Sequence, residues 1–162
     1  MGYEPAAWAT FGGALAAVAG ALTGLLFVAL SVKGAALSES LTLRSRAAQT
    51  LVLFMTSVLI AVVLVAPQSS TAVGVELVML AVTCGAALLT LDRRAGHETQ
   101  PGVVRTVERF SPNAITALLV AVAGITLLVG AGGGLYWLIP AVVASLVGGV
   151  INAWVFLTHV PG

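Results

Sequence analysis

From Trp8 to Val32 the chain reads WATFGGALAAVAGALTGLLFVALSV, without one charged side chain. Roughly 20 consecutive apolar residues suffice for a helix to cross the hydrocarbon core of a bilayer. A run of this length commits its chain to a membrane. Within it Gly12, Ala16, Gly20 and Gly24 recur at every fourth position, a spacing that predicts a strip along one side of the helix. A strip of small residues lets a second backbone approach closely, as membrane helices commonly do. The rest of the chain is expected to collect around this first span.

Four more apolar runs follow. The second is Ala47 to Ala66, stopped by Pro67; the third is Thr71 to Leu91, after the short PQSS link. A polar stretch, Asp92 to Pro112, separates the third span from the fourth, Asn113 to Gly130. Ser111 reads as the N-cap of that helix, with Pro112 at its first position, where the missing N–H does no harm. The glycine link GAGGG, Gly130 to Gly134, leads to the fifth span, Ile139 to Val160, with Pro140 in its first turn. The fold class is therefore all-α, a polytopic transmembrane bundle of five spans. The alternative has four, with the third or fourth segment re-entrant.

Composition agrees. Of 162 residues 59% are apolar and only 8% charged, with a mean hydropathy of +1.09; soluble domains carry about 25% charged residues. Residues 1–162 read as a single integral membrane domain with no soluble one beside it. A net charge of +1 gives no sign of a nucleic-acid surface. The single cysteine, Cys84, rules out an intrachain disulfide and a cysteine-built metal site, and mid-span it reads as a small apolar filler. The first run is expected to be retained rather than cleaved as a signal peptide. Glu4, and no Lys or Arg, precedes it, and it exceeds the usual apolar core of about 7–15 residues.

Orientation follows from the cations. Lys33, Arg44 and Arg46 fall between the first and second spans; Arg93, Arg94, Arg105 and Arg109 fall between the third and fourth; the other links and both tails have none. Short loops rich in Lys and Arg remain cytoplasmic, which puts the N-terminus outside and the C-terminus inside. Trp8 and Trp137 then sit at the outer boundary and Trp154 towards the inner one, where amphipathic rings prefer to be. In PGVVRTVERF, residues 101–110, apolar and charged side chains segregate at helical spacing. Two readings stand there, a short helix on the lipid surface and a solvated turn.

Few side chains carry chemistry. Ala141, Ser145, Gly149 and Ala153 form a second small-residue ladder in the fifth span. Either ladder serves to join helices of this chain or to dock another protein. Asn152, in the same span, reads as a hydrogen bond between helices before a substrate contact. The scattered hydroxyls, Thr23, Thr56, Ser57, Thr83, Thr90, Thr116 and Thr126, can each bond their own helix. Glu76 is the one acidic residue well inside a predicted span. It is either a functional intramembrane carboxylate or, if the span starts a few residues later, an interfacial one. Thr126 falls at a similar depth and is a geometrically feasible partner for it. His97 and His159 have no second ligand at metal-binding spacing. No phosphate-cradling loop and no nucleophile–base–acid set occurs, so no enzyme, metal or cofactor is expected.

The blocks AGALTGLLFVALS (Ala19 to Ser31), LRSRAAQTL (Leu41 to Leu51) and VLVAPQ (Val63 to Gln68) resemble small uncharacterised bacterial integral membrane proteins with a GLLFVALS-type N-terminal segment. The resemblance covers about the first 70 residues. Such sequences are sometimes labelled modulators of a membrane-anchored protease, a label no residue here supports chemically. The build is also similar in kind to accessory subunits such as those of an Mce-type ABC lipid importer. Expected, then, is a non-catalytic accessory or scaffold subunit of a larger bacterial inner-membrane assembly, in contact with lipids and other membrane subunits. The alternative is a small transporter or ion- or lipid-binding protein centred on Glu76.

Overall fold

The computed structural model describes residues 5–32, 41–95 and 112–158. They form α1 (Pro5–Val32), α2 (Leu41–Val65), α3 (Ser70–Ala95), α4 (Pro112–Val129), a 3-10 turn (Gly134–Trp137) and α5 (Leu138–Thr158), with no strand among them. Four of these segments are long and apolar enough to cross a membrane, and α4, with 18 residues, is shorter. At about 1.5 Å per residue it still reaches roughly 27 Å, against a hydrocarbon core of about 30 Å. Both α3 and α4 are continuous helices, without the mid-depth reversal that a re-entrant segment needs. The surface-helix candidate at 101–110, together with Lys33, His97, Arg105, Arg109 and His159, lies outside the described residues.

Punctuation residues act as their chemistry dictates. Pro67 follows the end of α2, and Ser69 caps α3, its Oγ accepting from the Ala72 N–H at 3.3 Å. Pro112 opens α4 and Pro140 sits in the first turn of α5. The GAGGG link is a folded turn. Gly132 and Gly133 have φ of 86° and 105°, a region closed to most side chains. The Trp137 indole N–H donates to the Gly132 carbonyl at 2.8 Å, closing the turn. Two boundaries differ from the sequence reading. Helix α2 begins at Leu41, so Arg44 and Arg46 stand in its first turns and not in a loop, and α3 continues through Asp92, Arg93 and Arg94 to Ala95. Helices outlast the apolar run because Arg, Gln, Leu and Ala favour helix in water as well as in lipid.

Helices α2, α3, α4 and α5 form a closed ring of antiparallel neighbours, and α1 lies outside it against α2, barely reaching α5. The organising helix is thus α2, and the expectation that the chain collects around the first span is corrected. Leu53, Phe54, Ile60, Ala61 and Leu64 of α2 are all at most 2% exposed. Among the described residues of α1 the buried hydrophobic side chains are Leu15, Ala19 and Leu26. The reason is that small side chains give α1 little to interlock with, whereas α2 offers bulky residues on three sides. One end of the bundle carries both described links and the start of α1, where Trp8 meets the ring of Tyr136 edge-on at 5.4 Å. The other carries Arg44 and Arg46. These are the link end and the basic end below.

The tightest crossing joins α3 to α4. A Cβ on Gly124 would lie 2.8 Å from the Gly74 carbonyl oxygen and 3.0 Å from the Val78 nitrogen. Nearer the basic end a Cβ on Gly85 would lie 3.2 Å from that of Ala117. With no hydrophobic force between helices in lipid, such backbone approach supplies the van der Waals contact that holds them.

Candidate functional site

The first-span ladder does not stay on one side. Gly12 is buried, and a Cβ there would be 3.1 Å from the Ala61 carbonyl oxygen and from Leu64. Ala16 is half-buried, while Gly20 and Gly24 are exposed with nothing within 4 Å of an added Cβ. The cause is geometric: a step of four residues advances about 40° around a helix of 3.6 residues per turn. Three steps carry the ladder about 120° around the helix, from the α2 contact to an exposed face. There Gly20 and Gly24 align with Gly13 and Ala17, also exposed. Helix α1 so presents an outward surface of small residues, flanked by Phe27 and Val28, 52% and 63% exposed.

The fifth-span ladder packs within the chain. Ala141 and Ser145 are fully buried and Gly149 is buried. Gly149 lies beneath the Phe54 ring so closely that a Cβ would collide with it. Ala153 is half-buried at the edge of a groove described below. Ser145 also makes a polar contact between helices: its Oγ donates to the Leu53 carbonyl at 2.7 Å and accepts from Ser57 Oγ at 3.1 Å. Ser145→Ala leaves Ser57 without this acceptor, and a loss of roughly 0.6–1.7 kcal/mol is expected. Reversible denaturation in mixed micelles measures it. Asn152, half-buried, makes no side-chain hydrogen bond among the described residues; Ser145, two turns earlier, holds the interhelical contact instead.

Glu76 is exposed, about 9 Å along α3 from its link-end start. Gln68 Nε2 donates to Glu76 Oε2 at 2.8 Å and to the Val63 carbonyl at 3.0 Å, tying the link to both helices. Thr126 is not its partner. The Thr126 hydroxyl donates to its own helix, to Val122 at 2.7 Å. Thr23, Thr56, Thr83 and Thr90 likewise bond their own helices. Ser57 departs from that pattern.

Of the buried polar residues near the basic end the sequence singled out Thr116 alone, as a hydroxyl bonding its own helix, a bond that the structure does not show. Ser45, Gln49 and Thr50 of α2 and Asn113 and Thr116 of α4 are at most 7% exposed. Ser45 Oγ donates to the Leu91 carbonyl of α3 at 3.2 Å, and Gln49 and Asn113 each hold an interaction. The buried Thr116 Oγ1 has no hydrogen-bond partner. Ser45 stands ahead of the second span as predicted, which began too late, while Gln49 and Thr50 fall inside that span and Asn113 and Thr116 inside the fourth, where nothing in the sequence marks which side of the helix is buried. No group of three His, Cys, Asp or Glu side chains able to hold a metal gathers among the described residues.

No protein-family profile, curated protein or solved structure matches the chain. The geometry offers a self-contained ring of four helices and a fifth helix, α1, whose small-residue face is turned outward.

Proposed function

We propose that the protein is a non-catalytic accessory subunit that docks to another membrane protein through the outward face of α1. The observation that carries this reading is the open side of Gly13, Ala17, Gly20 and Gly24. Small residues in lipid-facing positions give up side-chain contact, whereas the same residues against a partner helix permit close approach. Here they line the one helix that lies outside the ring. A lipid-transport complex, of which the Mce-type ABC importer is an example, is the assembly this build resembles. The rival reading, transport centred on Glu76, draws no support from an exposed carboxylate bonded to Gln68 beside a link.

Gly20→Leu tests the proposal. Since nothing stands near Gly20, the variant is expected to accumulate and fold like the parent while losing co-purification with its partner in mild detergent. Retained co-purification would contradict the docking face, and a fall in abundance without a partner effect would contradict the peripheral placement of α1. The proposed setting is the bacterial cytoplasmic membrane with the N-terminus outside, supported by the gathering of Arg44 and Arg46 at one end. In a Cys84→Ala background, a cysteine at Ser69 is expected to react with a membrane-impermeant thiol reagent on intact cells. One at Gly96 is expected not to. The reverse pattern would invert the topology.

A further inference from the structure

Between α1 and α5, in the half of the bundle nearer the basic end, runs an open groove of about 210 Å³. Leu22, Leu25, Leu26 and Ala29 make one wall, Val150, Ala153 and Trp154 the other, and Phe54 of α2 contributes to the lining between them. Its lining is apolar throughout. Its volume falls below the roughly 300–1,000 Å³ of small-molecule pockets, which suits a single flexible chain better than a compact ligand.

Beyond the groove, at the basic end of the bundle, stand two charges. Arg44, exposed, and Arg46, half-buried, stand in the first turns of α2. They lie about 12–15 Å along the axis from Phe54 and about 80° to either side of it around the helix. Neither makes an ion pair among the described residues. Trp154, in the groove wall towards the same end, is 69% exposed, as befits an indole at the headgroup level. No Lys or Arg occurs in the links at the opposite end. An apolar groove with two arginines, without an ion pair among the described residues, about one to two helical turns beyond it matches a molecule with an anionic head and a hydrocarbon tail, and basic pockets between membrane helices hold such headgroups.

We infer that this groove binds an anionic phospholipid, with one acyl chain between α1 and α5 over Phe54 and the phosphate at Arg44 and Arg46. The site is separate from the outward face of α1 and does not depend on the docking proposal or on the topology.

Fluorescence quenching in phosphatidylcholine vesicles tests it. A minor fraction of the lipid carries brominated chains, on phosphatidylglycerol in one set and on phosphatidylcholine in the other. The Trp154 signal is obtained by difference from Trp154→Phe. Brominated phosphatidylglycerol is expected to quench Trp154 at a concentration on the order of 10-fold lower than brominated phosphatidylcholine. The preference should vanish in Arg44→Gln/Arg46→Gln. It should also vanish when the groove is filled with both arginines kept, by Ala29→Phe or, from the other wall, by Ala153→Leu, each checked for unchanged helicity and elution. Equal quenching by the two lipids in the parent protein would overturn the inference. So would a preference that survives the arginine changes or groove filling, which would reflect anions gathered at the surface. Quenching that disappears as the protein-to-lipid ratio rises would give the groove to a second copy and also overturn it.

Discussion

Gly124→Ala is expected to destabilise the bundle, while the same change at Gly20 stabilises it or leaves it unchanged. Both glycines are helical, so alanine gains up to about 1 kcal/mol of intrinsic propensity at either. At Gly20 the new methyl meets nothing within 4 Å. At Gly124 it meets the Gly74 oxygen at 2.8 Å and the Val78 nitrogen at 3.0 Å, both main-chain atoms. A side chain can rotate aside, but here the whole of α3 must move away from α4. Overpacking of this kind costs about 1–3 kcal/mol, enough to reverse the sign. Reversible denaturation of the two variants in mixed micelles decides the matter. Equal shifts would mean that α3 and α4 do not meet at Gly74 and Gly124.

The second large effect is expected at Gly149. A Cβ there collides with the ring of Phe54, itself 2% exposed. Gly149→Val should therefore lower stability by roughly 1–3 kcal/mol, since the buried ring must be displaced to admit the new side chain. Phe54→Leu removes the clashing edge. In that background the cost of Gly149→Val is expected to shrink, with a coupling in the range of about 0.5–3 kcal/mol found for residues in contact. Additive effects in the double-mutant cycle would show that Gly149 and Phe54 do not touch.

The membrane character and the helices were legible because lipid enforces a simple rule. Apolar runs long enough to span, with Glu76 the one charge inside them, stopped by Pro67 and started by Pro112 and Pro140, marked five helices, the start of the second six residues late. What failed was whatever depended on a neighbour. The ladder from Gly12 to Gly24 looked like one face, yet its drift of about 40° per step takes Gly12 inward and Gly24 outward. The long uncharged first span looked central, but centrality belongs to α2, whose Leu53, Phe54 and Ile60 are enclosed by three helices. Gly74 and Gly124 matter only because the α3–α4 register sets them opposite one another, and a single sequence does not give that register. Glu76 could not be assigned to Gln68 before the fold of the link was known. Ser45 was hidden by the same boundary error that placed Arg44 and Arg46 in a loop, whereas Gln49, Thr50, Asn113 and Thr116 stood inside predicted spans and only the packing of the helices shows them buried.

The groove and the outward face of α1 lie on different sides of the helix, and Leu22 and Leu26 of the one are separated from Gly20 and Gly24 of the other by roughly half a turn. Lipid and partner can occupy α1 together, so a bound lipid would help hold the peripheral helix to the ring while its small-residue side stays free.

Site-specific photo-crosslinking in intact membranes tests the docking of α1 most directly. A photoreactive side chain is placed at Gly20 or at Val143 of α5, which is 55% exposed and faces away from the bundle. The account predicts a discrete protein adduct from Gly20 and lipid adducts from Val143; lipid adducts alone from both positions would contradict it.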